Sequence, residues 1–189
     1  MKRIWLLLVW MICLASAVHA QDEEAKKGFD KSNLFFGGTF GLSFGSYTLV
    51  NVSPQVGYHF NRYFAAGTGV NFIYSQYKIT DYNGYTISRQ DQGYAGLNIF
   101  GRVYPIQHIL LQVQPEINYS WGNLKTYSPD ASYKLPGEFV PSVLVGIGGA
   151  LPAGRSGAII LMIQYDLVQN VRSPYGNTIF YSFGYNVGF

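Results

Sequence analysis

The sequence predicts an all-β fold: a closed, antiparallel, up-and-down transmembrane β-barrel of about eight strands. Three observations predict it. Charged residues make up 12% of the 189 residues against 48% apolar, about half the charge of a soluble domain. From Leu34 onward the chain alternates with period two and shows no helical period. The two alternating faces also have the wrong polarity for a soluble sandwich. One is large and apolar; the other is Gly, Ser, Asn and Gln with few charges. Small polar residues suit a narrow lumen and large apolar ones suit lipid. A closed barrel leaves no backbone group unpaired in hydrocarbon.

Eight segments carry the pattern. Residues 34–46 set Phe36, Phe40, Leu42 and Phe44 against Gly37, Thr39, Gly41, Ser43 and Gly45. Residues 53–60 and 63–77 flank a tight turn at Asn61-Arg62, and 90–104 follows the connector 78–89. Residues 109–122 alternate without exception: Leu111, Val113, Pro115, Ile117, Tyr119 and Trp121 on one face, Gln112, Gln114, Glu116, Asn118, Ser120 and Gly122 on the other. Residues 138–151 and 158–169 come next, and 178–189 place Ile179, Tyr181, Phe183, Tyr185, Val187 and Phe189 together. Pro54 and Pro141 lie near strand starts; Pro115 is mid-strand, where a bulge is expected. Connectors alternate between tight (61–62, 105–108, 152–157) and roomier (47–52, 78–89, 123–137, 170–177).

One register is legible. Asn83-Gly84 is a type I′ hairpin signal. Folding the chain there sets Tyr82 opposite Tyr85 and Lys78 opposite Arg89. Further along, Val70 meets Leu97 and Phe64 meets Val103 on the apolar face. On the lumen face Gly67 meets Phe100, Gly69 meets Asn98, and Ala65 meets Arg102. Each bulky lumen residue thereby faces a small one.

Residues 1–20 read as a cleaved signal peptide: Lys2 and Arg3, an apolar run over 4–14, and Val18-His19-Ala20 at the end. That run is shorter than the roughly 20 residues a membrane helix needs. Its removal takes the only Cys, Cys13, so no disulfide forms, and it takes two cations from a formal charge of +3. A near-neutral chain gives no reason to expect a nucleic-acid partner. Residues 21–32 read as a flexible charged tail and 33–189 as the barrel domain.

The end of the chain reads Ser182-x-Gly184-x-x-Val187-x-Phe189 and closes on an aromatic residue. With the signal peptide and the eight segments, the chain resembles the small eight-stranded outer-membrane barrels of the OmpX and OmpA transmembrane-domain type. The resemblance implies an outer-membrane location with both termini periplasmic. It also implies that Ser182, Gly184, Val187 and Phe189 form the signal read by the barrel-assembly machinery. The chain departs from longer members in having modest loops and no periplasmic domain, which leaves a peptidoglycan-anchoring role without support.

Other motifs reduce to structure. The segment 149–156 approaches a phosphate loop, but Arg155 replaces Lys and a strand follows where a helix is required. Two glycosylation sequons, at Asn51 and Asn118, are discounted, the second because it lies within a strand. His59 and His108 fall at tight turns, away from the leaflet where a lipid-modifying triad would work, so no catalytic residue, metal site or cofactor is expected. Arg102, Glu116 and Asp166 face the lumen, and Arg102 is expected to pair with Glu116 or Asp166 in a network with Gln112, Gln114, Gln164 and Tyr94. Aromatic girdles are expected from Tyr74, Tyr77, Tyr119 and Trp121 at one rim, and from Phe60, Tyr63, Phe64, Tyr104 and Phe189 at the other.

The function these features indicate is a non-catalytic integral outer-membrane barrel with its lumen plugged by side chains. Its partners would be outer-membrane lipid and an extracellular protein or surface ligand, met through the loop residues Asp81, Tyr82, Asn83, Gly84 and Tyr85. The competing readings are a lipid-modifying barrel enzyme of acyltransferase or deacylase type, a narrow porin-like channel, and a soluble lipocalin-type barrel.

Overall fold

A computed structural model describes residues 30–43, 47–127 and 130–188. The signal-peptide segment, most of the charged tail and Phe189 lie outside the described residues. Lys31–Asn33 form a single 3-10 turn that leads into the sheet.

Eight strands follow: β1 (Leu34–Ser43), β2 (Tyr47–Asn61), β3 (Phe64–Thr80), β4 (Thr86–Ile106), β5 (Ile109–Tyr127), β6 (Asp130–Ala153), β7 (Gly157–Asp166) and β8 (Phe180–Gly188). Each pairs antiparallel with the next, and β8 returns to β1, closing the barrel in chain order. Closure removes the edges that an open sheet would expose. Phe35 pairs with Gly188, so both ends of the barrel chain lie at one rim.

The inside-out polarity holds. Ile117 is 47% and Phe183 48% exposed on the outer wall, while Asn118 and Ser182 are buried in the lumen. β5 alternates strictly, with Leu111, Val113, Ile117, Tyr119 and Trp121 all outward. Large lumen rings rest on glycines. A Cβ on Gly57 would lie 2.2 Å from the Phe35 ring, and one on Gly67 would lie 2.5 Å from Phe100. The glycines of the lumen face are therefore the floor that the large inward rings need.

The β3–β4 register matches the sequence expectation from Lys78↔Arg89 down to Phe64↔Val103. Its tip does not. Asn83 has no positive φ; only Gly84 does, at 84°. Asp81 pairs with Tyr85 through N–H to carbonyl at 2.9 Å, and Gly84 N–H reaches the Asp81 carbonyl at 3.1 Å. This is a three-residue loop with glycine in the left-handed position, not the two-residue type I′ turn. The Asp81 carboxylate selects it by accepting from the N–H groups of Asn83 (2.9 Å) and Tyr85 (2.8 Å). The extra residue is absorbed by a shift between Ile79 and Thr80, which leaves the register below intact.

Pro115 carries no bulge. Gln114↔Leu144, Pro115↔Val143 and Glu116↔Ser142 run in unbroken register with β6. The ladder with β4 skips the steps opposite Ile99 and Phe100 without shifting. The irregularities fall elsewhere, at His59/Asn61, Ile79/Thr80, Val103/Ile106 and Ser120/Gly122.

Most of the roomy connectors are strand. Residues 123–127 pair with 130–134 up to Tyr127↔Asp130, and β2 begins at Tyr47. β4, β5 and β6 therefore contain 21, 19 and 24 residues, about twice the 9–11 that cross hydrocarbon. Beyond the apolar band the rule of large residues out and small residues in ceases to apply. The sequence signal for a strand fades there while the backbone ladder continues.

Candidate functional site

Two regions hold the polar chemistry: the lumen and the rim away from the termini. In the lumen Arg102 is 0% exposed. Its register partner on β5 is Gln112, and its Nε donates to Gln112 Oε1 at 2.6 Å. Nη2 donates to Gln55 Oε1 at 2.9 Å, and Nη1 reaches the Asn186 side-chain oxygen at 2.8 Å once that amide is oriented to accept. The guanidinium carbon lies 4.4 Å from the Phe100 ring centroid and 5.7 Å from that of Phe35. The expected ion pair with Glu116 or Asp166 is not formed, and both described salt bridges lie elsewhere.

Glu116 is reached through two amides instead. Gln112 Nε2 donates to Gln114 Oε1 at 2.7 Å, and Gln114 Nε2 donates to Glu116 Oε2 at 3.2 Å. Asn71 Nδ2 (2.9 Å) and Asn118 Nδ2 (2.7 Å) also donate to the carboxylate, and the Tyr175 hydroxyl bonds to it as well. Asn71 Oδ1 accepts from Ser53 Oγ and Asn98 Nδ2, both at 2.5 Å. The reason is spacing: Gln112, Gln114 and Glu116 are successive lumen positions on one strand, so each amide reaches only its neighbour. The result is a continuous polar layer that joins Arg102 to Glu116 through side-chain amides.

Asp166 belongs to a different structure. It ends β7 and holds the connector to β8. Its Oδ1 accepts from Val143 N–H (3.2 Å) and Val168 N–H (3.0 Å), and its Oδ2 accepts from Ser173 Oγ at 2.7 Å. That connector turns into the barrel mouth. Tyr175 is 1% exposed and stacks on Phe180 at 4.6 Å and 16°, within an apolar cluster of Leu49, Ile73, Tyr94, Val140 and Leu144. Tyr47 donates to the Pro174 carbonyl, Tyr94 donates to the Arg172 carbonyl at 3.0 Å, and Arg172 Nη1 pairs with Glu138 at 2.8 Å. Tyr94 thus holds the β7–β8 connector and not the Arg102 network, and Gln164 is buried on the same lumen face. Sequence reasoning missed Ser173 and Tyr175, because nothing in Ser-Pro-Tyr-Gly says whether a turn points in or out. It also missed Gln55 and Asn186. Asn71 was within reach, since the β3–β4 register already placed it on the lumen face opposite Gly96.

At the terminus-bearing rim, Phe35, Ala65 and Phe100 form one apolar cluster, and Leu110, Ile160 and Met162 form another. Tyr104 packs against both. Tyr104 is therefore a lumen residue and not part of a girdle. Tyr77 likewise shares the inward face of Ile73 and Ser75 and stands above the mouth. Phe60, Phe64, Tyr74, Tyr119 and Trp121 are exposed on the wall as expected, whereas Tyr63 is in the β2–β3 turn and lines the terminus-side mouth with Phe35, His59 and Tyr104. His59 lies 4.8 Å from Phe35 and 5.9 Å from Tyr104, ring to ring, and His108 is in the exposed β4–β5 turn. The segment that approaches a phosphate loop contains the β6–β7 turn, with Gly154 at φ 78° and β7 following.

At the opposite rim, the β3–β4 tip carries Tyr82 fully exposed and Tyr85 74% exposed. Ser182 and Gly184 face the lumen on β8, and Val187 faces out, pairing with Phe36 on β1 and with Gly157 on β7.

No family model matches the sequence, and no curated protein matches it. Solved structures with a similar fold include Ail, the attachment invasion locus protein of Yersinia pestis, in complex with the heparin analogue sucrose octasulfate. It is 11% identical, with TM-score 0.41, over 82% of this chain and 93% of that one. Neisserial surface protein A is 12% identical, with TM-score 0.37, over 82% and 94%.

Proposed function

We propose that this protein is an integral outer-membrane barrel, exported by the leader at residues 1–20, that catalyses nothing. In this reading it presents its long β3–β4 and β5–β6 hairpins to an extracellular protein or surface ligand. The observation that carries the proposal is the combination of an apolar outer wall with strands of 19–24 residues on one side of the barrel. A membrane needs about ten residues per strand, and the remainder extends the sheet beyond the lipid at the rim opposite the termini. With both termini periplasmic, that rim is extracellular. Ser182, Gly184, Val187 and Phe189 act during biogenesis as the assembly signal.

The lumen in this reading does not conduct. The Arg102–Glu116 amide layer and the Tyr175 plug fill it at two heights, as expected where a small barrel's interior is only wide enough for side chains. Asp81–Tyr85 form the contact tip, with Tyr82 and Tyr85 as the aromatic surface a partner would bury. Deleting residues 81–86 is expected to abolish surface binding while leaving heat-modifiable gel migration unchanged. Intact binding by that deletion would remove the tip from the function.

A further inference from the structure

We propose that the outer wall across β3–β6 holds one acyl lipid whose phosphate headgroup is net anionic, the headgroup on Lys78, Arg89 and Lys125 and a chain in the groove beneath them. The site rests on the membrane reading above and specifies which lipid the wall selects. Register defines the layers. Phe72, Ala95, Tyr119 and Phe139 share one outward row. Above it come Tyr74, Gly93 and Trp121, then Gln76, Asp91, Asn123 and Lys134, then Lys78, Arg89, Lys125 and Ser132. From bottom to top the wall passes from apolar to aromatic to polar to cationic within four rows, the sequence of a lipid–water boundary.

Like charges directly opposite one another on adjacent strands repel, yet Lys78, Arg89 and Lys125 stand side by side. Asp91 is the carboxylate beneath them. It pairs with Arg89 at 2.8 Å and accepts from Tyr74 (2.7 Å) and Gln76 (2.8 Å). That leaves the row with a cationic excess at headgroup height, where an anionic headgroup compensates it.

A second, independent feature lies just below. Gly93 has no side chain, and Trp121 lies against it, so that a Cβ there would be 2.7 Å from the indole. The indole takes the space a side chain at position 93 would occupy, and beside it runs a groove of about 450 Å³ lined by Val50, Phe72, Tyr74, Gly93 and Trp121, with Asp91 and Asn123 at its upper end. It is predominantly apolar and opens on the lipid side of the wall. A soluble polyanion would satisfy the cations and leave this groove empty; an acyl lipid fills both.

Trp121 reports on the site directly. With Trp5→Phe and Trp10→Phe it becomes the only indole of the three in the sequence. The protein is reconstituted in dioleoylphosphatidylcholine vesicles containing brominated phosphatidylglycerol or, at equal mole fraction, brominated phosphatidylcholine. Phosphatidylglycerol is expected to quench more effectively, by about fivefold in apparent affinity, the scale of one basic contact with an anionic headgroup. Lys78→Gln/Arg89→Gln/Lys125→Gln, all surface changes, is expected to equalise the two lipids, and Arg62→Gln/Arg155→Gln at the other rim to preserve the difference. Equal quenching in the parent chain overturns the site, as does a preference that survives the triple change. Loss of the preference to soluble polyphosphate with no change in total quenching makes the row a soluble-anion site and also overturns it. Absence of quenching by either lipid overturns the membrane reading itself.

Discussion

The β3–β4 tip and the β7–β8 connector occupy the same rim and are built from the same residue types. One reads Tyr82-Asn83-Gly84-Tyr85, the other Tyr175-Gly176-Asn177, each with a glycine at positive φ (84° and 58°). Tyr82 is fully exposed, yet Tyr175 is 1% exposed. The difference lies in the flanking strands. β3 and β4 continue pairing to Thr80↔Thr86 and carry their tip away from the mouth. β7 and β8 have 10 and 9 residues and stop at the mouth. There the connector meets the apolar rings of the lumen and the Asp166 carboxylate. Burial of the tyrosine thus follows how far the flanking strands run and how much chain joins them, 167–179 against 81–85.

Four substitutions sharpen this contrast. Tyr175→Ala removes the stacked ring and leaves a cavity in the mouth. It is expected to cost about 3–5 kcal/mol in urea unfolding and to raise single-channel conductance in planar bilayers; unchanged conductance would show that the polar layer alone seals the lumen. Val113→Arg, on the outer wall of β5, is expected to cost about 2–4 kcal/mol in vesicles if the residue sits near the midplane. At the adjacent lumen position Gln114→Arg is no inert comparison, since Gln114 is bonded on both sides. Asp166→Asn keeps an acceptor for Val143 and Val168 but loses the charge that holds Ser173. About 1 kcal/mol is expected, with faster hydrogen exchange confined to the connector. Tyr82→Ser is expected to change stability by less than about 0.5 kcal/mol while weakening partner binding, and a loss of both would place the tip in the fold.

The barrel, its polarity and the β3–β4 register were legible because large apolar residues alternate with small or polar ones along the wall, most strictly on β5. The register survived a misread turn, since the bulge between Ile79 and Thr80 absorbs the extra loop residue before it can propagate. The upper halves of β5 and β6 were not legible. Asn123, Lys125 and Lys134 lie above the apolar band of the outer wall, so no apolar alternation marks them as strand. The Arg102 partner was misassigned for a related reason. Alternation gives the face of a residue but not its height, and Gln112, not Glu116, is level with Arg102 across the ladder. The inward path of Ser173–Tyr175 depends on where β7 stops, a consequence of packing around Asp166 that no local pattern announces.

The central claim is that the large apolar face contacts acyl chains and the amide face lines the axis. Spin labels at Ile117→Cys and Phe183→Cys, with Cys13→Ser to remove the native thiol, test it in reconstituted vesicles. High relaxation by oxygen and low relaxation by a water-soluble nickel complex is the expected result at both positions. Ready access by the nickel complex, or protection from both reagents, would contradict it.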